Sequence, residues 1–182
     1  ELAKILNDVL PKGVFNLVTG RGSKSGNYLQ RHQGIDKIAF TGSTEVGRQI
    51  GISAAENLIP STLELGGKSA NIFFEDMDMD LALEGVSLGI LFNQGQVCSA
   101  GSRIFVQESV YDEFVGRLVE EFEKVKVGSP LDKDTQMGAQ VNENQIKTIE
   151  KYVKIGKEEG SRILTGGSRY QEGELAKGSF FQ

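Results

Sequence analysis

The chain has a single cysteine and a single histidine among its 182 residues. One cysteine excludes an internal disulfide framework and any zinc site built from several cysteines. One histidine leaves little room for Ser-His-Asp chemistry, and His32 lies in the polar stretch Leu29-Gln-Arg-His-Gln33, which reads as surface. No apolar run approaches the roughly 20 residues that a membrane-spanning helix needs. Positive charge is not in excess either. With 20 Lys+Arg against 25 Asp+Glu the net charge is -5, which argues against the basic face of a general nucleic-acid binder. What the chain does have is 38% apolar and 25% charged residues, enough for a packed core, and 23 glycines. Its length suits about one domain or parts of two.

Short apolar segments alternate with amphipathic ones. Strands are expected at Val14–Val18, Asp36–Phe40, Thr62–Leu65, Ala70–Phe74, Ser102–Gln107 and Arg162–Leu164. Helices are expected at Glu1–Leu10, Glu45–Glu56, Asp78–Phe92, Tyr111–Val125 and Asn144–Glu159, with a short one before Gln30. Phe114, Leu118, Phe122 and Val125 form one apolar stripe. Strands alternating with helices imply a parallel α/β architecture. Glu1–Leu10 reads as the middle of a helix and Gly178–Gln182 as a starting strand, so a piece of a longer chain is expected. The pair Gly66-Gly67 is the candidate crossover between two domains.

Three segments carry chemistry. Phe40-Thr-Gly-Ser-Thr-Glu-Val-Gly47 follows an apolar strand and opens a helix. Free N–H groups there attract an anion, and Gly42 lets a pyrophosphate approach; helix capping by Ser43 is the competing reading. Gly20, Gly22 and Gly26 form a second glycine-rich turn, either lining a ligand or supplying positive φ. Cys98 lies among small polar neighbours in Asn93-Gln-Gly-Gln-Val-Cys-Ser-Ala-Gly101, where Gly95 and Gly101 could admit a substrate. A free cysteine is often a small buried hydrophobe, but this setting also suits a nucleophile, which works as the thiolate. No histidine is near in sequence, so a carboxylate would serve as base. Glu64, inside Thr62-Leu-Glu-Leu65, is the candidate; simple alternation would instead point it to solvent. Glu75-Asp-Met-Asp-Met-Asp80 fails as a calcium loop, because Leu81 and Ser87 stand where glycine and glutamate are needed, and reads as helix capping.

Taken together, these segments resemble the NAD(P)-dependent aldehyde dehydrogenase superfamily. The resemblance rests on Phe-Thr-Gly-Ser-Thr-Glu-Val-Gly at 40–47, Leu-Glu-Leu-Gly-Gly-Lys at 63–68 and Asn-Gln-Gly-Gln-Val-Cys at 93–98, in that order, with 34 positions from Glu64 to Cys98. It runs over essentially the whole chain, including Gly-Ser-Arg at 101–103. It implies a Rossmann-like parallel-sheet cofactor-binding part (the C-terminal half of an NAD(P)-binding domain) over residues 1–66. Residues 67–182 would be the N-terminal part of an α/β catalytic, thiol-bearing domain.

The resemblance implies that Cys98 attacks an aldehyde to give a thiohemiacetal, which becomes a thioester after hydride loss. Glu64 would then activate the hydrolytic water. Gly42 and Ser43 would lie by the pyrophosphate, Val46, Gly22 and Gly26 by the adenine, and Leu65 and Gly66 toward the nicotinamide. Phe92, Val97 and Ser99 would border the substrate. The implied cofactor is NAD, with NADP possible, and no metal is implied. An asparagine oxyanion donor and ribose-binding residues would lie upstream, with a further ribose-binding glutamate and an oligomerisation arm downstream. The 182 residues alone would then be inactive. Partners would be a small aldehyde and further copies of the full-length chain in a homodimer or homotetramer, with no nucleic acid and no membrane. A needed free thiol fits the cytoplasm. Two alternatives remain: a branch that acylates coenzyme A or reduces an acyl phosphate, and a noncatalytic binding module. Glu64 favours water-driven deacylation over the first, and retention of both Cys98 and Glu64 argues against the second.

Overall fold

A computed structural model describes residues 1–182, which form two compact units, Glu1–Gly66 and Gly67–Gln182. Each unit is built on one parallel strand pair with helices beside it.

In the first unit, helix α1 (Leu2–Val9) is followed by a wide turn over Gly22–Gly26 that runs into the short helix α2 (Asn27–Gln30). Strand β1 (Ile38–Gly42), helix α3 (Thr44–Glu56) and strand β2 (Ser61–Leu65) then make a β-α-β unit. β1 and β2 pair in parallel, from Ile38 beside Ser61 to Gly42 beside Leu65. Parallel neighbours need a crossover, and α3 supplies it. The helix starts where Ser43 accepts a hydrogen bond from Val46 N–H at 3.3 Å, with Glu45 in its positive first turn. Gly47, Ile50, Ser53 and Ala54 form its buried face. A Cβ at Gly47 would meet Leu65 Cδ2 at 2.5 Å, so its absence lets helix and strand pack this closely without moving Leu65.

The second unit pairs β3 (Ala70–Phe73) with β4 (Arg103–Val106), also in parallel. Helix α4 (Met79–Leu91) makes the crossover, and α5 (Tyr111–Glu123) packs on it. Ala82, Leu83 and Val86 of α4 interlock with Phe114 and Leu118 of α5. The Phe73 and Phe114 rings lie 4.9 Å apart at 34°. Phe114 and Val86 have no solvent exposure. Burying such side chains contributes roughly 1.5–3 kcal/mol each. Asp78 caps α4 by accepting from Leu81 N–H at 3.1 Å, so the acidic run at 75–80 acts as a helix start. Helix α6 (Glu143–Glu158) is capped in the same way by Asn142, which accepts from Gln145 N–H at 3.1 Å.

Two expected strands do not form. Val14–Val18 and Arg162–Leu164 have no ladder partner and remain irregular. Apolar content alone makes no strand, since the backbone groups need a neighbouring chain. At the end of the chain, Phe181 forms one antiparallel bridge with Arg169 rather than a strand. No helix is long and apolar enough to cross a membrane.

Candidate active site

The first unit holds a cleft of about 730 Å³ walled by the Gly22–Gly26 turn, α2, β1 and the start of α3. Gly22, Gly26 and Val46 all line it. The alternative reading of the turn glycines does not hold, for neither Gly22 nor Gly26 has positive φ. A Cβ on either would meet nothing within 4 Å. Their missing side chains therefore widen the cleft and serve neither the backbone path nor packing. Ile38, Phe40, Ile50 and Leu29 give it apolar walls, with Arg31 and Lys37 also on its lining. Gly42 and Ser43 lie outside the cleft lining, at the junction of β1 and α3. The Ser43 hydroxyl is engaged as the cap of α3, as the capping reading required.

Glu64 lies near the end of β2 beside Thr41 of β1. Its side chain is exposed while those of Leu63 and Leu65 are half-buried, so strict alternation directs it outward within its own unit. Leu65 packs toward Gly47, and Gly66 is exposed with open space around its Cα.

Cys98 is exposed and sits in the tight turn Val97–Ala100, closed by Ala100 N–H donating to Val97 O at 3.1 Å. Gly101 N–H donates to Gly89 O at 3.0 Å, tying this turn to α4. Each bracketing glycine has a structural use of its own. A Cβ on Gly101 would collide with the Asn71 side chain, which donates to Gly101 O at 3.3 Å. Gly95 has φ +72°, and a Cβ there would meet Ile90 O at 3.0 Å. Gly67 is equally constrained, since a Cβ would stand 3.2 Å from Cys98 O. Lys68 is engaged in hydrogen bonds. Its ammonium donates to Gly67 O and its carbonyl accepts from Arg103 Nε at 2.9 Å.

The residues in front of the cysteine were not foreseen. Asn93 (φ 49°), Gln94 (φ 57°) and Gly95 (φ 72°) form three consecutive left-handed positions. For non-glycine residues this conformation costs about 1–2 kcal/mol each, so it persists only where surrounding contacts impose it. Asn93 Nδ2 donates to Gln96 O at 3.2 Å, and Gln96 N–H to Asn93 O at 3.0 Å. Two further bonds come from far along the chain. Val141 N–H donates to Gln96 Oε1 at 3.1 Å, and Gln140 Nε2 to Gln94 O at 3.4 Å. Asn tolerates left-handed backbone, so Asn-Gln-Gly was a partial signal; Gln94 entered only as part of the motif at 93–98, and nothing in the sequence marked Gln140. Of the expected substrate neighbours, Phe92 is 64% exposed, Ser99 is exposed and Val97 is half-buried. They flank the cysteine in sequence, and none of them lines the glycine-opened cleft of the first unit.

The first unit thus offers a glycine-opened cleft beside a β-α-β unit, and the second a solvent-exposed thiol on a turn held by backbone hydrogen bonds. The aldehyde dehydrogenase family model matches residues 1–182, and the chain belongs to that family. Aldehyde dehydrogenase B of Escherichia coli is 52% identical over 188 residues, covering 100% of this chain and 36% of that protein. Two crystal structures of the betaine aldehyde dehydrogenase of Staphylococcus aureus in complex with NAD+ superpose with a TM-score of 0.95, at 40% and 41% identity. They cover 98% of this chain and 36% of theirs. The chain thus spans about a third of the length of the relatives it matches.

Proposed function

We propose that the chain is the central part of an enzyme that oxidises an aldehyde to a carboxylic acid, with Cys98 as nucleophile and Glu64 as base. The observation that carries this reading is the presentation of Cys98, an exposed thiol on a turn fixed from both sides. Residues 1–66 belong to the NAD(P)-binding domain and 67–182 to the catalytic domain. The Cys98 thiolate bonds to the aldehyde carbon, giving a thiohemiacetal whose oxyanion is held by the Cys98 backbone N–H. When bound, a nicotinamide would supply the hydride acceptor needed to take this adduct on to a thioester. Glu64 takes a proton from water, which attacks the thioester carbonyl, releasing the acid and the Cys98 thiolate.

NAD is the cofactor, as in the complexes of the Staphylococcus aureus relative, with NADP the alternative. The cleft fits one end of it. Open space over Gly22 and Gly26 leaves room for a flat ring against apolar walls, and Val46 closes one side. Gly42 and Ser43 lie by the pyrophosphate, Leu65 and Gly66 approach the nicotinamide end, and Phe92, Val97 and Ser99 border the aldehyde. The full-length chain works as a homodimer or homotetramer in the cytoplasm. Hydrolysis is preferred over acyl transfer to coenzyme A because Glu64 is present.

The test is Cys98→Ala in the full natural chain, assayed for NAD-dependent aldehyde oxidation. Activity is expected to vanish, and survival of it would refute the nucleophile assignment. Glu64→Gln is expected to trap the acyl group on Cys98, seen as added mass on that peptide. Unchanged steady-state turnover would remove Glu64 from the mechanism.

A further inference from the structure

We propose that the segment Gly138–Val141 is the clamp that holds the left-handed turn in front of Cys98, with Gln96 and Gln140 as positioning residues. Asn tolerates positive φ and the Asn93–Gln96 bonds close the turn locally, but Gln94 at φ 57° has no such preference and takes no part in those bonds. The missing restraint comes from more than forty residues away. Gln96 Oε1 accepts from Val141 N–H at 3.1 Å, and Gln140 Nε2 donates to Gln94 O at 3.4 Å. With its amide oxygen facing Gly138, the Gln94 side chain accepts from Gly138 N–H at 3.2 Å and donates to Asn93 O at 3.1 Å. A Cβ at Gly138 would stand 3.2 Å from that amide, so the missing side chain lets Gln94 lie close against this backbone. These long-range hydrogen bonds to the turn converge on one four-residue segment.

That segment is itself anchored. Gln140 N–H donates to Ser179 O at 2.8 Å. Arg169 pairs with Glu143 at 2.7 Å and also donates to Gly178 O at 3.3 Å, so the start of α6 is tied to the strand-like tail. Gln140 is only 9% exposed, and its Oε1 has no partner. A buried amide with an idle oxygen is unfavourable as packing. Its use is the Nε2 donor, aimed at the left-handed carbonyl of Gln94. Cys98 lies two residues beyond Gln96, so releasing the turn would shift the thiol by changing its backbone path, with no contact to the thiol itself.

The inference rests on Cys98 being the nucleophile, and its test separates the two. Gln96→Met, Gln96→Glu, Gln140→Met and Gln140→Glu are made in the full natural chain. Backbone amide exchange of the 92–100 peptide is read beside kcat, KM for NAD and the melting temperature. A carboxylate at 96 still accepts from Val141 N–H, whereas one at 140 cannot donate to Gln94 O. Gln96→Glu is therefore expected to keep the turn protected, and the other three to speed its exchange roughly tenfold, with kcat falling and KM for NAD unchanged. If both Met variants leave exchange in that peptide unchanged, the clamp is wrong. It is also wrong if exchange rises evenly across the unit and Gln96→Glu behaves like Gln96→Met, since that is the pattern of plain destabilisation. Exchange does not depend on the thiol's role, so activity surviving in Cys98→Ala would sink the nucleophile reading and leave the clamp to stand or fall on its own data.

Discussion

Gly95→Ala isolates what the turn before Cys98 demands of the backbone. Two costs act at once. At φ +72° an alanine is held in the left-handed region, which costs about 1–2 kcal/mol. Its Cβ would also stand 3.0 Å from Ile90 O, a backbone atom in the last turn of α4 that cannot swing aside like a side-chain end. Against this, alanine restricts the unfolded chain and returns about 0.4–1 kcal/mol. The two backbone terms leave a loss of about 0–1.6 kcal/mol, and the contact with Ile90 O adds to it. Gly116 gives the internal control. It lies within α5, a Cβ there meets nothing within 4 Å, and its φ is not positive. Gly116→Ala should therefore stabilise by roughly 0.5–1 kcal/mol, as for any exposed helical glycine. Gly95→Asn should fall between wild type and Gly95→Ala, because Asn tolerates the left-handed region but keeps the Cβ contact. The assay is denaturant unfolding of the four proteins with activity alongside. Gly95→Ala matching Gly116→Ala in sign would refute the argument, since the two substitutions would then differ in nothing that the local geometry predicts.

Three further outcomes follow from other parts of the molecule. Phe114→Ala removes a ring with no solvent exposure from between Phe73, Val86 and Leu118, and should cost about 3–5 kcal/mol in unfolding free energy; a loss below about 1 kcal/mol would mean the core collapses onto the vacancy. Gly26→Leu places a side chain into open cleft without backbone strain, so NAD affinity measured by titration should weaken at least about tenfold, the size of burying one misplaced apolar group, while the melting temperature holds. Asp132 accepts from Asp134 N–H at 3.0 Å and from the Lys126 ammonium at 3.1 Å, which holds its carboxyl below the usual carboxylate range. The contribution to stability is present above the ordinary aspartate pKa and is lost as pH falls through the lowered one, so the loop at 126–137 should loosen only in strong acid. An NMR titration placing Asp132 at or above ordinary aspartates would contradict this.

The elements most legible in the sequence were those whose cause is local. The stripe through Phe114 and Leu118 places α5 because an apolar period near 3.6 buries one face whatever else the chain does. Ser43, Asp78 and Asn142 cap helices through their own side chains, and the first two were readable as such. Val14–Val18 and Arg162–Leu164 failed for the complementary reason. A strand is a property of two segments, and no period in one of them states whether a partner is there. The family resemblance was legible because three separated motifs keep their order, which no single motif could establish.

The turn before Cys98 shows where such reading stops. Its glycine looked like an opening for substrate, because a glycine beside a nucleophile is read as space. The same missing Cβ has three different uses in this one chain. At Gly26 it leaves room in a cleft, at Gly101 it admits the Asn71 side chain, and at Gly95 it permits a backbone angle. Sequence records the absence and not its use. What separates the cases is the position of neighbours that the motif does not contain, Asn71 thirty residues away in one and Ile90 at the end of α4, with the distant Gln140 segment, in the other. A reactive residue placed by a turn is therefore specified in two parts. Its identity is written in the motif, and its aim depends on residues such as Gln140 that carry no chemistry of their own, so substitutions there should alter turnover while leaving every recognisable motif intact.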